Sequence, residues 1–387
     1  MITDSVVFDS TQIWLEFSEE QQNQAWEKSQ SFSLPSSRWN AYLNQICLSV
    51  LLPWLQEEYA PKAKVWPNNA ALPSFWEVVN GTAIVANNTR FVIIPSEAID
   101  LDELRVPQEW VDIPSWVADY YLAVQVNPDD RCVVVWGYAN HNQLKKGSYD
   151  IRDRTYSLAT NDLISDLNVL WVARQLCPEE NTRAEVTSLA ILPQAQAENL
   201  IQRLGNSAII EPRLAVPFQL WGALLEHGGT RQQLYYRRMG LNEQQSILNW
   251  LRIGVSVIAQ EIGWKRIELQ PGFVGARGVE LTNSEAILSR QLQIAGQPYE
   301  LQVFPLRNLE QATWRFQLQN CATGGVIPGG FKLRLLTEDL QPFEANEDVA
   351  ITAQERLYID VAVAPGEGLV WEIEPIPENY DREILRF

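Results

Sequence analysis

The last third of the chain shows a two-residue alternation of apolar and polar side chains. Trp314, Phe316 and Leu318 alternate with arginine and glutamine. The same alternation recurs in three later runs, which begin at Phe331, Leu357 and Leu369. This period is typical of strands that have one buried face and one solvent-exposed face. We therefore predict that residues 279–387 form an antiparallel β-sandwich.

A helical period appears near the start of the chain. Apolar residues three and four positions apart predict an amphipathic helix over residues 36–59. They are Trp39, Tyr42, Leu43, Ile46, Val50 and Trp54. Pro53 is expected to kink or end this helix, because proline removes a backbone donor and clashes with the preceding turn. Ser18, followed by Glu20 and Gln21, is a candidate N-cap of an earlier helix.

From about residue 74 the apolar period changes to two. Asn80-Gly81 and Asn87-Asn88 lie between runs rich in β-branched residues, a pattern that indicates hairpin turns. Two further runs, 120–126 and 132–138, flank a turn at 127–130. We predict a small antiparallel sheet or open barrel, wrapped by the N-terminal helices and closed by a helix over 160–177.

The middle of the chain reads as a helical connector. Proline and glycine at start and stop positions predict three helices, over 194–204, 217–227 and 242–262. A glycine-rich stretch at 271–278 reads as a hinge. The predicted fold class is α+β with three parts. They are an α+β domain (1–177), a helical connector (178–278) and an acidic β-sandwich (279–387).

Composition supports a globular chain and limits its partners. Of 387 residues, 46% are hydrophobic and 20% are charged, and the formal net charge is −18. A surface this acidic disfavours direct binding to nucleic acid or to anionic lipid, and it attracts a basic protein surface. Most of the 15 tryptophans are expected to be core anchors, because an indole has a large apolar area to bury.

The location of the protein is predicted from the absence of export signals. The N-terminus has no basic region ahead of an apolar core, and no apolar run is long enough to span a bilayer. The four cysteines, Cys47, Cys132, Cys177 and Cys321, are far apart and show no CxxC spacing. We expect a cytoplasmic protein with reduced thiols.

Several segments together resemble a cyanobacterial family that shares domain of unknown function 1822. The segments are 330–338, 366–375, 378–383, 153–156 and 212–218. The resemblance covers most of the chain and implies a bacterial cytoplasmic protein. Genes of this family neighbour alternative sigma factors and caspase-like repeat proteins, which implies a regulatory role. The family brings no catalytic motif to transfer to this sequence.

The two histidines are the first candidates for chemistry. His141 follows a predicted strand, and with Cys177 it could form a caspase-like dyad, although Cys177 lies at a helix end without the usual sequence context. The expected alternative is a loop histidine and a half-buried thiol. His227 precedes Gly228-Gly229, where a cation would favourably cap a helix C-terminus.

Other motifs are weaker. The glycine runs 272–278, 323–325 and 328–330 lack the spacing of a dinucleotide or phosphate loop and read as turns. An acidic loop between strands could hold calcium or be merely solvated; its residues are Glu338, Asp339, Glu344, Glu347 and Asp348. Glu372 and Glu374 are either a glycosidase-like pair or charges that protect a sheet edge. Trp314 and Trp371 fall on apolar positions, which argues against a carbohydrate-binding face.

Two stretches combine tyrosine with arginine and are candidate contacts for a partner. The first runs from 149 to 156 and predicts either an ion-pair network that fixes a hairpin loop or a set of interface anchors. Its candidate residues are Tyr149, Asp150, Arg152, Asp153, Arg154 and Tyr156. The second is the sequence Tyr235, Tyr236, Arg237 and Arg238.

The sequence favours a non-catalytic regulatory or adaptor protein that binds a protein partner through its acidic surface. No cofactor and no metal site are predicted. The alternative is a hydrolase whose substrate and active site the sequence does not reveal.

Overall fold

The computed structural model describes residues 12–177, 180–241, 246–268, 286–306 and 313–387. The chain is a mixed α/β protein with helices concentrated in its N-terminal part and strands in its C-terminal part, as predicted. The predicted hinge at 271–278 and the predicted boundary at 278/279 lie outside the described residues. The division into three domains stays a prediction.

Nine of the strands that the structure describes belong to the N-terminal part. They are β1 (Ile13–Glu16), β2 (Lys64–Trp66), β3 (Thr82–Ala86), β4 (Thr89–Ser96), β5 (Glu103–Pro107), β6 (Tyr120–Asn127), β7 (Cys132–Asn140), β8 (Ser148–Asp150) and β9 (Thr155–Ala159). Six of them form one sheet in the order β1-β7-β6-β4-β3-β2, and β5, β9 and β8 form a second. The larger sheet is antiparallel except where β4 pairs with β6 in parallel.

Nine α-helices in the described residues accompany these strands. They are α1 (Glu19–Ser29), α2 (Pro35–Glu58), α3 (Leu72–Trp76), α4 (Gln108–Asp112), α5 (His141–Lys146), α6 (Leu167–Leu176), α7 (Gln194–Leu204), α8 (Phe218–Glu226) and α9 (Gly228–Arg238). Helix α2 packs on β3, β4 and β6, and α9 packs on α3, α7 and α8. The predicted N-cap of α1 is confirmed, and Ser18 and Gln21 also exchange side-chain and backbone hydrogen bonds as a capping box.

Two local predictions differ from the structure in this part. The run of two-residue period predicted from about residue 74 begins inside helix α3, so Asn80-Gly81 is not a hairpin turn. Pro53 lies inside α2 and does not end it, and the alternative that it kinks the helix stays a prediction. Asn87-Asn88, by contrast, does form the β3–β4 hairpin, with both residues at positive φ (48° and 64°) as a tight two-residue turn requires.

The structure describes two short helices and nine strands in the C-terminal part. The helices are α10 (Ile247–Ile253) and α11 (Val257–Glu261). The strands are β10 (Trp264–Glu268), β11 (Ala286–Ile294), β12 (Gln297–Leu306), β13 (Thr313–Asn320), β14 (Lys332–Thr337), β15 (Glu347–Val349), β16 (Arg356–Ala362), β17 (Gly368–Glu374) and β18 (Ile384–Arg386). Gly254, at φ 118°, separates the two helices where one long helix was predicted.

These strands form the predicted antiparallel sandwich. One sheet has the order β10-β11-β12-β13-β16, and the other has the order β15-β14-β17-β18. The alternation read from the sequence sets the buried faces: Trp314, Phe316 and Leu318 on β13 are all buried, as is Trp371 on β17.

The buried apolar side chains form two separate clusters. The first core draws on residues between Phe17 and Tyr236, and the second on residues between Ile247 and Phe387. Helices α7, α8 and α9 contribute to the first core, whereas α10 and α11 contribute to the second. Where the two cores meet, residues of both parts of the chain line a set of cavities.

Candidate functional site: a cleft between the two cores

Three adjoining cavities lie between the cores, and Gln233 of α9 lines all of them. We call this region the cleft. One wall is formed by α7, α9 and residues 189–192, and the other by Glu338, Leu340 and the segment 378–387. Interfaces between packed units are common positions for binding sites, because they are concave and draw side chains from both sides.

The segment 378–387 connects the two cores through side-chain contacts. Glu378 forms an ion pair with Lys64 (2.8 Å), and the carbonyl oxygen of Asn379 accepts a hydrogen bond from Asn68 (3.3 Å). Asp381 accepts a hydrogen bond from Arg231, a residue of α9 that is 1% exposed. The first core is therefore linked to the second by three polar contacts along one segment.

Arg231 is fixed by further contacts inside the first core. Its Nε donates to Ser74 Oγ (3.0 Å) and its Nη1 to the carbonyl oxygen of Leu225 (2.9 Å). Its guanidinium also lies 4.0 Å from the ring centre of Phe75. Every nitrogen of this buried cation thus has an acceptor, which is the condition under which a buried charge is tolerated.

The glycine pair at the start of α9 permits the close approach of this segment. A Cβ atom on Gly228 would lie 2.3 Å from Asp381 Oδ1 and 2.4 Å from the carbonyl oxygen of Arg382. A Cβ atom on Gly229 would lie 2.6 Å from Ile384 Cγ1. The pair was predicted to end α8; it follows α8 directly but forms the first two residues of the next helix.

We expect Gly228→Ala to destabilise the protein by about 1–3 kcal/mol, because the added methyl group overpacks the contact with residues 381 and 382. Alanine has a higher helix propensity than glycine, so the substitution alone would stabilise α9. A loss of stability is therefore caused by the overpacked contact. Chemical denaturation measures the change. An unchanged or higher unfolding midpoint would contradict a tight contact here.

Glu383 holds the second core's side of the segment in place. Its carboxylate accepts hydrogen bonds from the indole nitrogens of Trp264 (3.0 Å) and Trp371 (2.7 Å), and it pairs with Arg290. These two buried tryptophans thus donate to a carboxylate, which supplies the partner that a buried indole N–H needs.

His227 lies at the base of a smaller pocket within the cleft. Its Nδ1 accepts a hydrogen bond from the backbone N–H of Gly229 (3.0 Å), so it caps the N-terminus of α9. Burial, with the nearby guanidinium groups of Arg382 and Arg231, lowers the pKa of His227 to about 4. The prediction of a cationic cap at a helix C-terminus is therefore wrong, because the ring is neutral near pH 7 and serves the following helix.

The acidic loop, interpreted from sequence as either a calcium site or a solvated loop, makes contacts within the protein. Glu338 is buried and accepts two hydrogen bonds from Arg386 (2.7 Å each), while burial raises the pKa of its carboxyl group. Glu347 pairs with Arg334, and Asp348 accepts from the backbone of Tyr358. These three side chains are thus bound to protein groups. Within the described ranges no three acidic, histidine or cysteine side chains are grouped as metal ligands.

The Cys–His dyad is not formed. His141 is fully buried; its Nε2 donates to the carbonyl oxygen of Val111 (2.9 Å), and its Nδ1 accepts from the backbone of Ala184 (2.9 Å). Both ring nitrogens are therefore used by the backbone. Cys177 is exposed at the end of α6. The expectation of a loop histidine is also wrong, because His141 is a buried first residue of α5.

The stretch 149–156 forms the β8–β9 hairpin and a network around it. Tyr156 donates to Asp112 (2.9 Å) and accepts from Lys145 (2.9 Å), and the ring of Tyr149 packs 4.9 Å from that of Tyr156. Hydrogen bonds from Arg152 lower the pKa of Asp150 to about 2. These contacts agree with the structural reading of the stretch.

The other two residues of this stretch attach the hairpin to its surroundings. Asp153 pairs with Arg105, and Arg154 donates to the backbone carbonyls of Arg213 and Val216. Tyr149 is 41% exposed and the side chain of Arg152 is 87% exposed. Contact of a partner with these exposed members stays a prediction.

The second candidate patch is corrected, since most of it is not at the surface. Tyr235, Tyr236 and Arg238 are buried, and Arg238 forms an ion pair with Glu77 (2.8 Å) in which both side chains are 0% exposed. Only Arg237, of the four, is exposed. The buried three lie on the face of α9 that packs into the first core, so they stabilise the fold.

The pair on β17 is held by basic side chains. Glu372 pairs with Arg382 (2.9 Å), and Glu374 lies within 3.3 Å of Lys332. Strand β18 pairs with β17 only over Gly368–Val370, so Glu372 and Glu374 lie beyond that pairing, and protection of a sheet edge by their charges stays a prediction. They are held in cross-strand and segment contacts.

The cleft itself was missed by reasoning from sequence, because its residues are far apart in the chain. One signal was present: the charged run 378–383 is more polar than the strands on either side of it. Two of its carboxylates, those of Glu378 and Asp381, pair with residues of the first core, while Glu383 and Arg382 form ion pairs within the C-terminal part.

Comparisons with known proteins agree with the resemblance noted in the sequence. Among the described residues, no helix has the length and apolar character that crossing a bilayer requires. No curated protein and no solved structure matches the chain. A family model described as "Protein of unknown function (DUF1822)" matches residues 15–386, which include both cores and the cleft. The chain therefore belongs to the DUF1822 family, as its sequence segments predicted.

Proposed function

We propose that this chain is a non-catalytic regulatory or adaptor protein of the cytoplasm, and that a protein partner with a basic surface binds at the cleft. The observation that carries this proposal is a pair of carboxylates at the cleft's rim. Glu198 accepts from Gln194 Nε2 (2.9 Å), and Glu226 accepts from the backbone N–H of Ser115 (3.1 Å). Neither forms an ion pair within the described part of the chain.

The rest of the cleft makes these two charges more effective. Glu338, Asp381 and Glu383 are each matched by an arginine, so they hold the walls without attracting a partner. The apolar side chains of Leu189, Ile201 and Leu340 line the same pocket as Glu198 and Glu226, and charges beside an apolar wall attract more strongly than charges in open solvent. The net charge of the whole chain is −18, so it attracts a partner with a basic surface. Lysine or arginine side chains of that partner would form the ion pairs that Glu198 and Glu226 lack among the described residues.

We expect a protein partner to co-elute with the tagged chain from its native host, and to be lost as the salt concentration rises from low to moderate. Mass spectrometry of the eluates at each salt concentration identifies it. Neutralising the rim by Glu198→Gln with Glu226→Gln should weaken the association by about tenfold, the loss that about 1.4 kcal/mol represents.

The matched control is Glu57→Gln with Glu97→Gln, which removes the same charge from two exposed positions outside the cleft. This variant should bind as the unmodified chain does. A partner that both double variants retain equally would contradict binding at the cleft. A chain that elutes alone at every salt concentration would contradict the adaptor function.

A further inference from the structure

The pocket at the base of the cleft contains an unsatisfied hydrogen-bond donor. Because Nδ1 of His227 accepts from Gly229, the proton of the neutral ring is on Nε2. His227 is 8% exposed, and its Nε2 has no hydrogen-bond partner among the described residues. The backbone carbonyl of Glu338 faces the ring and influences its pKa, yet it forms no hydrogen bond of ordinary geometry with Nε2.

The walls around this donor are apolar. Leu189, Leu192, Ile201 and Leu340 line the pocket, which has a volume of about 60 Å³. A cavity needs only about 10–15 Å³ to hold one water molecule, so the pocket accepts a few waters or the end of an aliphatic side chain. A ligand that combines an apolar group with an acceptor oxygen would fit this pocket, because the apolar group would contact the walls and the oxygen would accept from the buried N–H.

The charge around the pocket restricts that acceptor. Glu198 and Glu226 lie at its mouth and Glu338 lies in its wall. Arg382, the cation that lines it, is already bound to Glu372. A ligand carboxylate or phosphate would be repelled by the carboxylates of Glu198 and Glu226, so a neutral carbonyl oxygen is favoured as the acceptor. Cationic groups next to that carbonyl would gain from Glu198 and Glu226.

We propose that this pocket binds a short basic peptide segment of the partner, with an aliphatic side chain between its walls and a main-chain carbonyl oxygen on His227 Nε2–H. The inference rests on the proposed function and names the part of the partner that is recognised. A peptide carbonyl is neutral, an aliphatic side chain matches the walls, and flanking arginines or lysines match the rim.

The chain has two histidines, and this makes the test direct. Protein labelled with ¹⁵N-histidine gives imidazole signals from His227 and from His141, whose ring nitrogens are both bonded to backbone and which serves as the internal control. Titration with the probe peptide acetyl-Arg-Leu-Arg-amide should shift the Nε2 signal of His227 saturably and leave His141 unchanged.

Two control peptides separate the parts of the proposal. Acetyl-Arg-Gly-Arg-amide lacks the aliphatic side chain, and acetyl-Glu-Leu-Glu-amide reverses the flanking charge; neither should shift His227 at the same concentrations. If acetyl-Arg-Leu-Arg-amide leaves His227 unshifted, or if all three peptides shift it equally, the proposal is overturned and water satisfies the donor.

The variant His227→Asn separates binding from folding. Asparagine places an acceptor where Nδ1 lies, so it keeps the cap on α9 but lacks the Nε2–H donor. We expect this variant to fold and to bind the probe about tenfold more weakly, the loss of one hydrogen bond. Unchanged affinity would remove His227 from the site.

The outcomes also distinguish this inference from the function on which it rests. A salt-sensitive partner whose binding His227→Asn does not alter would leave the adaptor function standing and overturn the peptide site. A probe peptide that binds at His227 in a chain without any co-eluting partner would support the peptide site and overturn the adaptor function.

Discussion

Replacing Glu77 with alanine is expected to lower the free energy of unfolding by about 3–5 kcal/mol, the typical cost of leaving a buried charge without its partner. Glu77 and Arg238 are both fully buried, and Glu77 also accepts hydrogen bonds from the backbone and hydroxyl groups of Ser33. The guanidinium of Arg238 would keep only its hydrogen bonds to the carbonyl oxygens of Leu204 and Ile209.

Denaturant unfolding measures the loss of stability, and two further variants serve as controls. Glu77→Leu combined with Arg238→Leu removes both charges and should recover much of the stability, because an apolar pair of similar volume often replaces a buried ion pair without net cost. Glu355→Ala breaks an exposed pair with Arg356 and should cause no measurable change. Equal losses from Glu77→Ala and Glu355→Ala would contradict this account.

The second large effect is a loss of stability in mild acid that depends on His227. Its pKa is about 4 in the folded chain and about 6.5 in an unfolded one. Between these values the unfolded state binds a proton that the folded state does not, so stability falls as the pH falls. The contribution is fully present above about pH 6.5 and is lost by about pH 4, a change of about 3 kcal/mol.

Comparison with His227→Asn isolates this contribution from the carboxyl groups that titrate in the same range. Both proteins are unfolded by denaturant at a series of pH values between 4 and 7. The difference between their free energies of unfolding should change over this interval and level off above about pH 6.5. A constant difference would mean that His227 binds its proton equally in both states.

Periodicity predicted the sandwich well, because one buried face forces strict alternation in each strand. The same periodicity gave a wrong prediction at helix α3 (residues 72–76). A short apolar run there is compatible with either a strand or a helix, and packing against α9 stabilises the helix. The predicted helix over 242–262 was interrupted at Gly254, whose positive φ no hydrophobic pattern can indicate.

The site was less predictable than the fold. Reasoning from sequence reads neighbours along the chain, whereas Arg231 and Asp381 are separated by 150 positions. Residue type alone also misplaced Tyr235, Tyr236 and Arg238 at the surface, since a buried arginine is recognised only when its carboxylate is known. His227 was correctly placed at a helix boundary, but which helix it caps depends on a backbone turn that the sequence does not specify.

The contacts of segment 378–387 also bear on how the chain reaches its fold. Glu378 pairs with a lysine 314 positions away, so this contact forms only after a very long loop has closed. The equilibrium cost of closing such a loop grows slowly with its length, but contacts of long range slow the search for the native state. Each core can collapse on its own neighbouring contacts first. We therefore expect docking of the segment to be the last and slowest phase of refolding, with the cleft assembled only in that final step.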